Sequence, residues 1–266
     1  MLRATAGWGY NVNTTTLYRA ITDAGLTTNL QVCLDAADPA SWPGSGTKWL
    51  DRSGNGYDFF LGTDGTTSAP IFVNDGTKSY WSFDGSTFFR YDTTNETWMQ
   101  NLHKNNAIFS GLAIWYNATN STQTFFGDTG SVSAGTGVSI LNNNQTLLVR
   151  SAGSVVNTTQ VAASAGNNSW HFSGISLTEA TGSGGGFFYL DGGYNQVSGS
   201  DTWDSTYTSP SAGSASQTME IAARGGGNTP ASSGSKLSAL AIWGGTAISK
   251  ANMDTLYAAM RGRFGL

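Results

Sequence analysis

The sequence has few charged residues, and their scarcity limits the partners and chemistry to consider. Charged residues make up 11% of the 266 positions, against roughly 25% in an ordinary globular protein. The 13 Lys and Arg against 17 Asp and Glu leave a net charge of −4, so the basic patch of a nucleic-acid-binding protein is missing. Two histidines, and three glutamates of which none has an acidic residue two positions away, form no recognisable triad or carboxylate pair. We expect a protein that is not an enzyme and that binds no nucleic acid.

Cysteine and long apolar runs are scarce as well. The single cysteine, Cys33, excludes an internal disulfide and a multi-cysteine zinc site. No window has the 18 or more apolar residues of a membrane helix, and no apolar stretch of signal-peptide length opens the chain. We therefore expect a protein that is made in a cytoplasm and has no membrane partner.

Glycine and aromatic residues, by contrast, are abundant. The chain has 35 Gly and nine Trp, and 12% of its residues are aromatic, which indicates a packed core despite the polar composition. Short apolar runs alternate with Asp-Gly and Asn-Gly turn dipeptides, a pattern typical of an all-β sandwich or barrel. We predict strands at Leu30–Leu34, Ser79–Phe83, Thr87–Tyr91, Ile108–Tyr116, Thr124–Phe126, Gly137–Leu141, Thr146–Arg150, Trp170–Leu177, Gly186–Leu190, Thr218–Ala223 and Lys236–Trp243.

The two ends of the chain differ from this pattern. Residues 1–29 lack strand alternation and form a predicted N-terminal arm, with a short helix between Thr16 and Ala24 that ends at Gly25. Residues 30–266 form one predicted sandwich domain. It is closed by a C-terminal helix that starts after Ser249 and stops at Gly262.

Several motifs resemble the laminin G-like, concanavalin A-like lectin/glucanase domain. They are the run Leu34-Asp35-Ala36-Ala37-Asp38-Pro39 with Trp49-Leu50-Asp51-Arg52-Ser53-Gly54, then Phe83-Asp84-Gly85, Trp170-His171, Tyr189-Leu190-Asp191-Gly192 and the ending Arg261-Gly262-Arg263-Phe264. The resemblance spans roughly residues 30–266 and implies an all-β, two-sheet antiparallel jelly-roll sandwich with one short C-terminal helix. Its details are similar to versions found in bacteriophage virion proteins.

That resemblance implies a non-enzymatic virion structural protein, as a capsid decoration, head-fibre or tail module. Its partners would be the major capsid protein or tail proteins, in a homo-oligomer or other high-copy assembly. In the arm, Trp8, Tyr10 and Tyr18 would either dock on such a partner or pack on their own domain. Deletion of residues 1–29 is expected to leave a folded sandwich that no longer joins its assembly. The alternative is a carbohydrate-binding adhesin module that recognises a bacterial surface glycan, and a glycoside hydrolase is the least favoured function.

The side chains in the loops predict two kinds of binding site, one for a sugar and one for calcium. Trp42, Trp98, Trp203 and Tyr207 lie in loop-like segments where an exposed ring could stack on a sugar, whereas tryptophans in strand runs are expected in the core. Asp51 and Asn55 offer side-chain oxygens to calcium, which related domains sometimes hold. A turn in which Asp51 bonds to its own backbone is the competing interpretation. No other cofactor is expected.

Overall fold

The computed structural model describes residues 15–91, 97–100, 102, 108–118, 123–128, 137–142, 146–151, 154–159, 168–178, 186–196 and 217–266. Within these ranges the chain is a sandwich of two antiparallel β-sheets with a short C-terminal helix, which confirms the predicted all-β jelly-roll class. No helix in the described ranges is long and apolar enough to cross a membrane.

The secondary structure consists of short strands and three short α-helices in the described part of the chain. In chain order they are α1 (Leu17–Asp23), β1 (Leu30–Asp35), β2 (Lys48–Trp49), β3 (Phe59–Leu61), β4 (Ile71–Asn74), β5 (Ser79–Ser82), β6 (Phe89–Tyr91), α2 (Thr97–Gln100), β7 (Ile108–Asn117), β8 (Gln123–Gly127), β9 (Gly137–Asn142), β10 (Thr146–Ser151), β11 (Ser154–Thr159), β12 (Ser169–Thr178), β13 (Gly186–Leu190), β14 (Gly193–Gln196), β15 (Glu220–Ile221), β16 (Lys236–Gly244) and α3 (Lys250–Met260).

Each sheet contains eight of these strands. In sheet A the order is β14-β13-β12-β7-β16-β5-β4, and β1 also pairs with β16. In sheet B the order is β11-β10-β9-β8-β15-β6-β3-β2. The long strands β7 and β16 lie side by side in the middle of sheet A, and each is buried along most of its length.

Two apolar layers result, one on each face of sheet A. The layer between the sheets is rich in aromatic rings and includes Trp49, Trp81 and Trp115, all buried as expected for strand tryptophans. The second layer lies between the outer face of sheet A and the helices α1 and α3, with Trp243 and Met253 fully buried in it. The apolar residues on both faces of β7 and β16 are thereby explained.

The helix α1 forms where the sequence predicts it, and it is part of the domain. The Thr16 side chain accepts the Arg19 N–H at its start, as an N-cap residue does. Leu17 and Ile21 are fully buried in the outer layer. Tyr18 is half-buried and packs against the same layer, so this part of the predicted arm packs on its own domain. Trp8 and Tyr10 lie outside the described residues.

The C-terminal helix ends differently from the prediction. Ser249 caps α3 by accepting the Asn252 N–H, as expected. Gly262 does not stop it: the chain continues as a 3₁₀ turn over Arg261–Arg263 and turns at Gly265, whose φ is +73°.

A buried ion pair fastens both ends of the described chain to β1. Asp35 is fully buried and accepts hydrogen bonds from Arg263 Nη1 at 2.8 Å and Nη2 at 2.5 Å. The same carboxylate accepts the N–H of Leu17, at the start of α1, at 2.8 Å and that of Ala37 at 2.9 Å. One side chain thus holds the first helix, the first strand and the C-terminal turn together.

Candidate functional site

Two of the predicted sugar platforms are buried, so that prediction is wrong for them. Trp42 is 7% exposed and Trp98 is 2% exposed, and both belong to the layer between the sheets. Trp98 is stacked on Tyr57 at a ring-centroid distance of 5.0 Å. Trp42 turns inward from the loop between β1 and β2, and Trp98 turns inward from α2. Trp203 and Tyr207 lie outside the described residues.

The proposed calcium ligands instead form the competing hydrogen-bonded turn. Asp51 Oδ1 accepts the N–H groups of Cys33 and Ser53 at 2.8 and 2.9 Å, and its Oδ2 accepts the Ser53 hydroxyl at 2.5 Å. Asn55 donates from its amide nitrogen to the Leu30 carbonyl at 2.8 Å. Since these bonds occupy both carboxylate oxygens and present the amide nitrogen to β1, the calcium assignment is corrected to a structural turn. Over the described ranges, no group of three His, Cys, Asp or Glu residues is arranged to hold a metal ion.

A row of residues crosses the outer face of sheet A near one end of its strands. Trp170 of β12 pairs with Tyr116 of β7, which pairs with Lys236 of β16. Lys236 pairs with Ser82 of β5, and Ser82 pairs with Ile71 of β4. Residues directly opposite on neighbouring strands lie on the same face, so the five side chains share one surface.

Strand alternation shows which way this row faces. The chain neighbours Trp81, Leu237 and Trp115 are buried in the layer between the sheets, and successive side chains point to opposite faces of a strand. The row therefore lies on the outer face of sheet A, where Trp170 also packs against the outer apolar layer. Ile71 is 68% exposed, and the other members of the row are half-buried.

Three aromatic rings and one lysine lie together on this face, and we call Tyr80, Tyr116, Trp170 and Lys236 the aromatic cluster. The Trp170 ring centroid lies 5.6 Å from that of Tyr80 and 5.8 Å from that of Tyr116, both edge to face. Lys236 Nζ lies 4.8 Å from the Tyr80 centroid and 4.5 Å from the Tyr116 centroid. Phe264, in the C-terminal turn, closes one side at 5.0 Å from Trp170. Each cation–π contact of this kind contributes about 0.5–1 kcal/mol at a partly exposed site.

The cluster offers apolar ring surface together with hydrogen-bond donors. Burial raises the pKa of Tyr80, and the negative charge of Asp75 raises it further, so the phenol stays protonated and can donate. Within the described ranges no carboxylate lies at ion-pair distance from the Lys236 ammonium. Such a surface can bind a ligand that has both an apolar face and oxygen acceptors.

Ser169, His171 and Asp191 also come together, which the sequence analysis missed by treating the histidine alone. His171 Nε2 lies 2.8 Å from Ser169 Oγ, and Nδ1 donates to Asp191 Oδ2 at 2.7 Å. These distances resemble a hydrolytic triad. However, the imidazole is buried and packs on Trp115 at 5.1 Å, and Asp191 also accepts the Phe172 N–H at 2.8 Å. The arrangement pins the β13–β14 turn to β12.

Glu220, the one glutamate among the described residues, is paired with a cation. Its Oε1 accepts from Arg90 Nε at 2.8 Å and Nη2 at 2.7 Å, and its Oε2 accepts the Gly227 N–H at 2.7 Å. Burial raises the pKa of Glu220, and the opposing effects of Gly227 and Arg90 only partly offset that rise. A carboxylate held in this way is a structural group of sheet B.

A pocket between the sheets is too small for a sugar. It measures about 20 Å³ and is lined by Trp115, Phe125, Ser235 and neighbouring residues. The Ser235 hydroxyl is buried and has no hydrogen-bond partner among the residues that the structure describes. A volume of this size holds about one water molecule, which would satisfy that hydroxyl.

No protein-family model matches the sequence, and no curated relative matches it. Solved structures do match in fold. Trypanosoma rangeli sialidase in complex with sialic acid aligns with a TM-score of 0.52 at 14% identity, over 86% of this chain and 33% of the sialidase. The binding domain of botulinum neurotoxin serotype D aligns with a TM-score of 0.57 at 10% identity, over 89% of this chain and 52% of that domain.

A third match covers almost the whole of its partner. Domain 4 of AbnA, an extracellular GH43 arabinanase from Geobacillus stearothermophilus, was solved in complex with arabinotriose. It aligns with a TM-score of 0.54 at 15% identity, over 86% of this chain and 98% of that domain. These three matches give no support to the virion assignment, which stays a prediction. At such identities the likeness establishes the fold alone, a β-sandwich.

Proposed function

We propose that the chain is a non-catalytic carbohydrate-binding module that holds its glycan on the aromatic cluster. The observation that carries this proposal is that the aromatic cluster lies on the outer face of sheet A, with Tyr116, Trp170 and Lys236 half-buried and Tyr80 8% exposed. The likeness to domain 4 of AbnA, whose structure contains arabinotriose, supports the same function.

The chemistry of a sugar matches this surface. A sugar ring presents an apolar C–H face, which packs on an aromatic ring, and a rim of hydroxyl groups, which accept and donate hydrogen bonds. Trp170 and Tyr116 supply ring surface, and Tyr80 and Lys236 supply donors. The row from Ile71 to Trp170 crosses five strands, so at about 4.8 Å per strand it extends for about 19 Å. That length accommodates an oligosaccharide.

Glycan-array screening followed by titration calorimetry tests the proposal. We expect the wild-type protein to bind at least one oligosaccharide, and Trp170→Ala to weaken that binding roughly tenfold, because a lost aromatic contact is worth about 1–1.5 kcal/mol. Phe60→Ala is the matched control, since Phe60 is a half-buried aromatic residue on sheet B under Lys48. Near-ultraviolet circular dichroism of each variant verifies the fold.

Two results would contradict the proposal. One is the absence of any glycan ligand for the wild-type protein. The other is equal binding by Trp170→Ala and the wild type, which would move the site elsewhere.

The virion structural role predicted from the sequence is compatible with glycan binding, and a truncation of the N-terminal arm tests it separately. Deleting residues 1–29 would remove Leu17 and Ile21 from the outer layer, and the bond from Leu17 N–H to Asp35 with them. The truncation is therefore better placed at residues 1–14, before the α1 cap. If the first 14 residues dock the protein, this variant stays folded but does not join its assembly.

A further inference from the structure

We infer that the glycan is acidic, with a carboxylate or sulfate group that binds the Lys236 ammonium. This inference rests on the proposed function and adds the chemical class of the ligand. It begins from the position of Nζ, 4.8 Å from the Tyr80 ring centroid and 4.5 Å from the Tyr116 ring centroid.

The tyrosine rings hold the ammonium without using its hydrogen-bond donors. A ring attracts the cation through its π-electrons, whereas the three N–H groups of an ammonium require oxygen acceptors. No hydrogen bond from Lys236 to a protein group is formed within the described ranges. The charge is fixed in position while its donors remain available to a ligand.

Two other half-buried or buried cations of the domain pair with carboxylates. Arg52 pairs with Asp38 at 2.9 Å, and Arg263 pairs with Asp35. Lys236 has no such partner in the described part of the chain, although Asp75 is near enough to affect Tyr80. The carboxylate of Asp75 instead accepts hydrogen bonds within its own turn, from the N–H and hydroxyl of Thr77 and the N–H of Lys78.

An anionic group gains more from this site than a neutral hydroxyl does. The Lys236 ammonium makes a charge-assisted hydrogen bond to any oxygen acceptor, but an anionic group adds a Coulomb attraction that a neutral hydroxyl lacks. Partial burial reduces the screening of that attraction by water and salt. When a neutral sugar binds, one of its hydroxyl groups replaces a water molecule at the ammonium, and both are neutral hydrogen-bond acceptors. The aromatic cluster therefore favours an acidic saccharide over its uncharged analogue.

A glycan array that contains neutral, uronic, sialylated and sulfated saccharides tests this with the wild-type protein, Lys236→Gln and Lys236→Arg. The wild type should select acidic members, Lys236→Gln should lose them, and Lys236→Arg should retain them. The strongest acidic hit should bind roughly tenfold more weakly once its anionic group is neutralised. A loss on methyl esterification identifies a carboxylate as the bound group, and a loss on desulfation identifies a sulfate. The same loss is expected for Lys236→Gln.

Lys48→Gln is the matched control, because Lys48 Nζ lies 4.3 Å from the Phe60 ring centroid on sheet B. It should bind like the wild type. Selection of neutral saccharides only, or retention of acidic hits by Lys236→Gln, overturns the inference and leaves the proposed function standing. An array with no hits at all refutes both.

Discussion

The buried pair between Asp35 and Arg263 should be the most costly contact to break by a conservative change. Asp35→Asn keeps the size of the side chain and removes its charge. The Arg263 side chain is 7% exposed and that of Asp35 is 0% exposed, so the variant leaves a guanidinium in the interior without a counter-charge. The new amide also turns an N–H group towards the donors of Arg263 or Leu17.

The expected loss follows from the burial of both partners. Breaking a buried ion pair on one side costs about 3–5 kcal/mol, from a total stability of about 5–15 kcal/mol for a folded domain. In a protein of this length that corresponds to a fall in Tm of roughly 6–10 °C, at about 2 °C per kcal/mol. The exposed pair between Arg19 and Asp23 has side chains that are 70% and 54% exposed, so Asp23→Asn should cost less than about 0.5 kcal/mol.

Urea unfolding followed by tryptophan fluorescence measures Asp35→Asn, Asp23→Asn, Arg263→Met and the double variant Asp35→Asn with Arg263→Met. Removing both charges eliminates the unpaired guanidinium, so the double variant should be at least about 1 kcal/mol more stable than Asp35→Asn alone. A loss below about 1 kcal/mol for Asp35→Asn, or a double variant whose loss is the sum of the single losses, would refute the role assigned to this pair.

Two further predictions concern the turn next to β3. Several hydrogen bonds lower the pKa of Asp64 to about 2, and the bond from the Thr67 N–H has the largest effect. An NMR titration should therefore give a pKa for this carboxyl well below the usual value of about 3.9. Because the folded-state pKa is lowered, the contribution of Asp64 to stability is present above about pH 4 and is lost as pH falls towards 2. The Tm of Asp64→Asn should therefore fall less than that of the wild type between about pH 4 and about pH 2. An equal fall in the two proteins would contradict this. At Gly62, with φ +65°, a Cβ atom would lie 1.8 Å from the Thr67 carbonyl oxygen, whereas at Gly76, with φ +87°, it would meet nothing within 4 Å. Gly62→Ala should therefore lose at least about 2 kcal/mol more than Gly76→Ala in urea unfolding, and equal losses would contradict the close approach seen here.

The long strands and several short ones were predictable from the sequence, whereas β2 and β3 were not. The runs that became β7 and β16 have apolar residues at successive positions, which only a strand covered on both faces requires. The strands β2 and β3 cover Lys48–Trp49 and Phe59–Leu61, which are too few residues to show alternation. Their pairing is determined by long-range contacts instead, such as the register of Phe60 with Arg90.

The candidate site was harder to predict, because exposure depends on distant parts of the chain. Trp42 and Trp98 have the local sequence of surface loops, yet both fill the core. Trp170 was correctly placed at a strand, but nothing local shows that its face remains open. That depends on where the C-terminal turn stops, with Phe264 against one side of the Trp170 ring.

The link between Asp35 and Arg263 also has a consequence for synthesis on the ribosome. The two residues are 228 positions apart, so at about 5–20 residues per second the arginine is made roughly 10–45 s after the aspartate. During that interval β16 has not been made, so β1 has no partner strand. Its apolar side chains Val32, Cys33 and Leu34 then lack the residues opposite them in the folded sheet. The pairing of β1 therefore cannot be completed until the segment with β16 and Arg263 has been made, and the sandwich closes as one unit only after that segment leaves the ribosome.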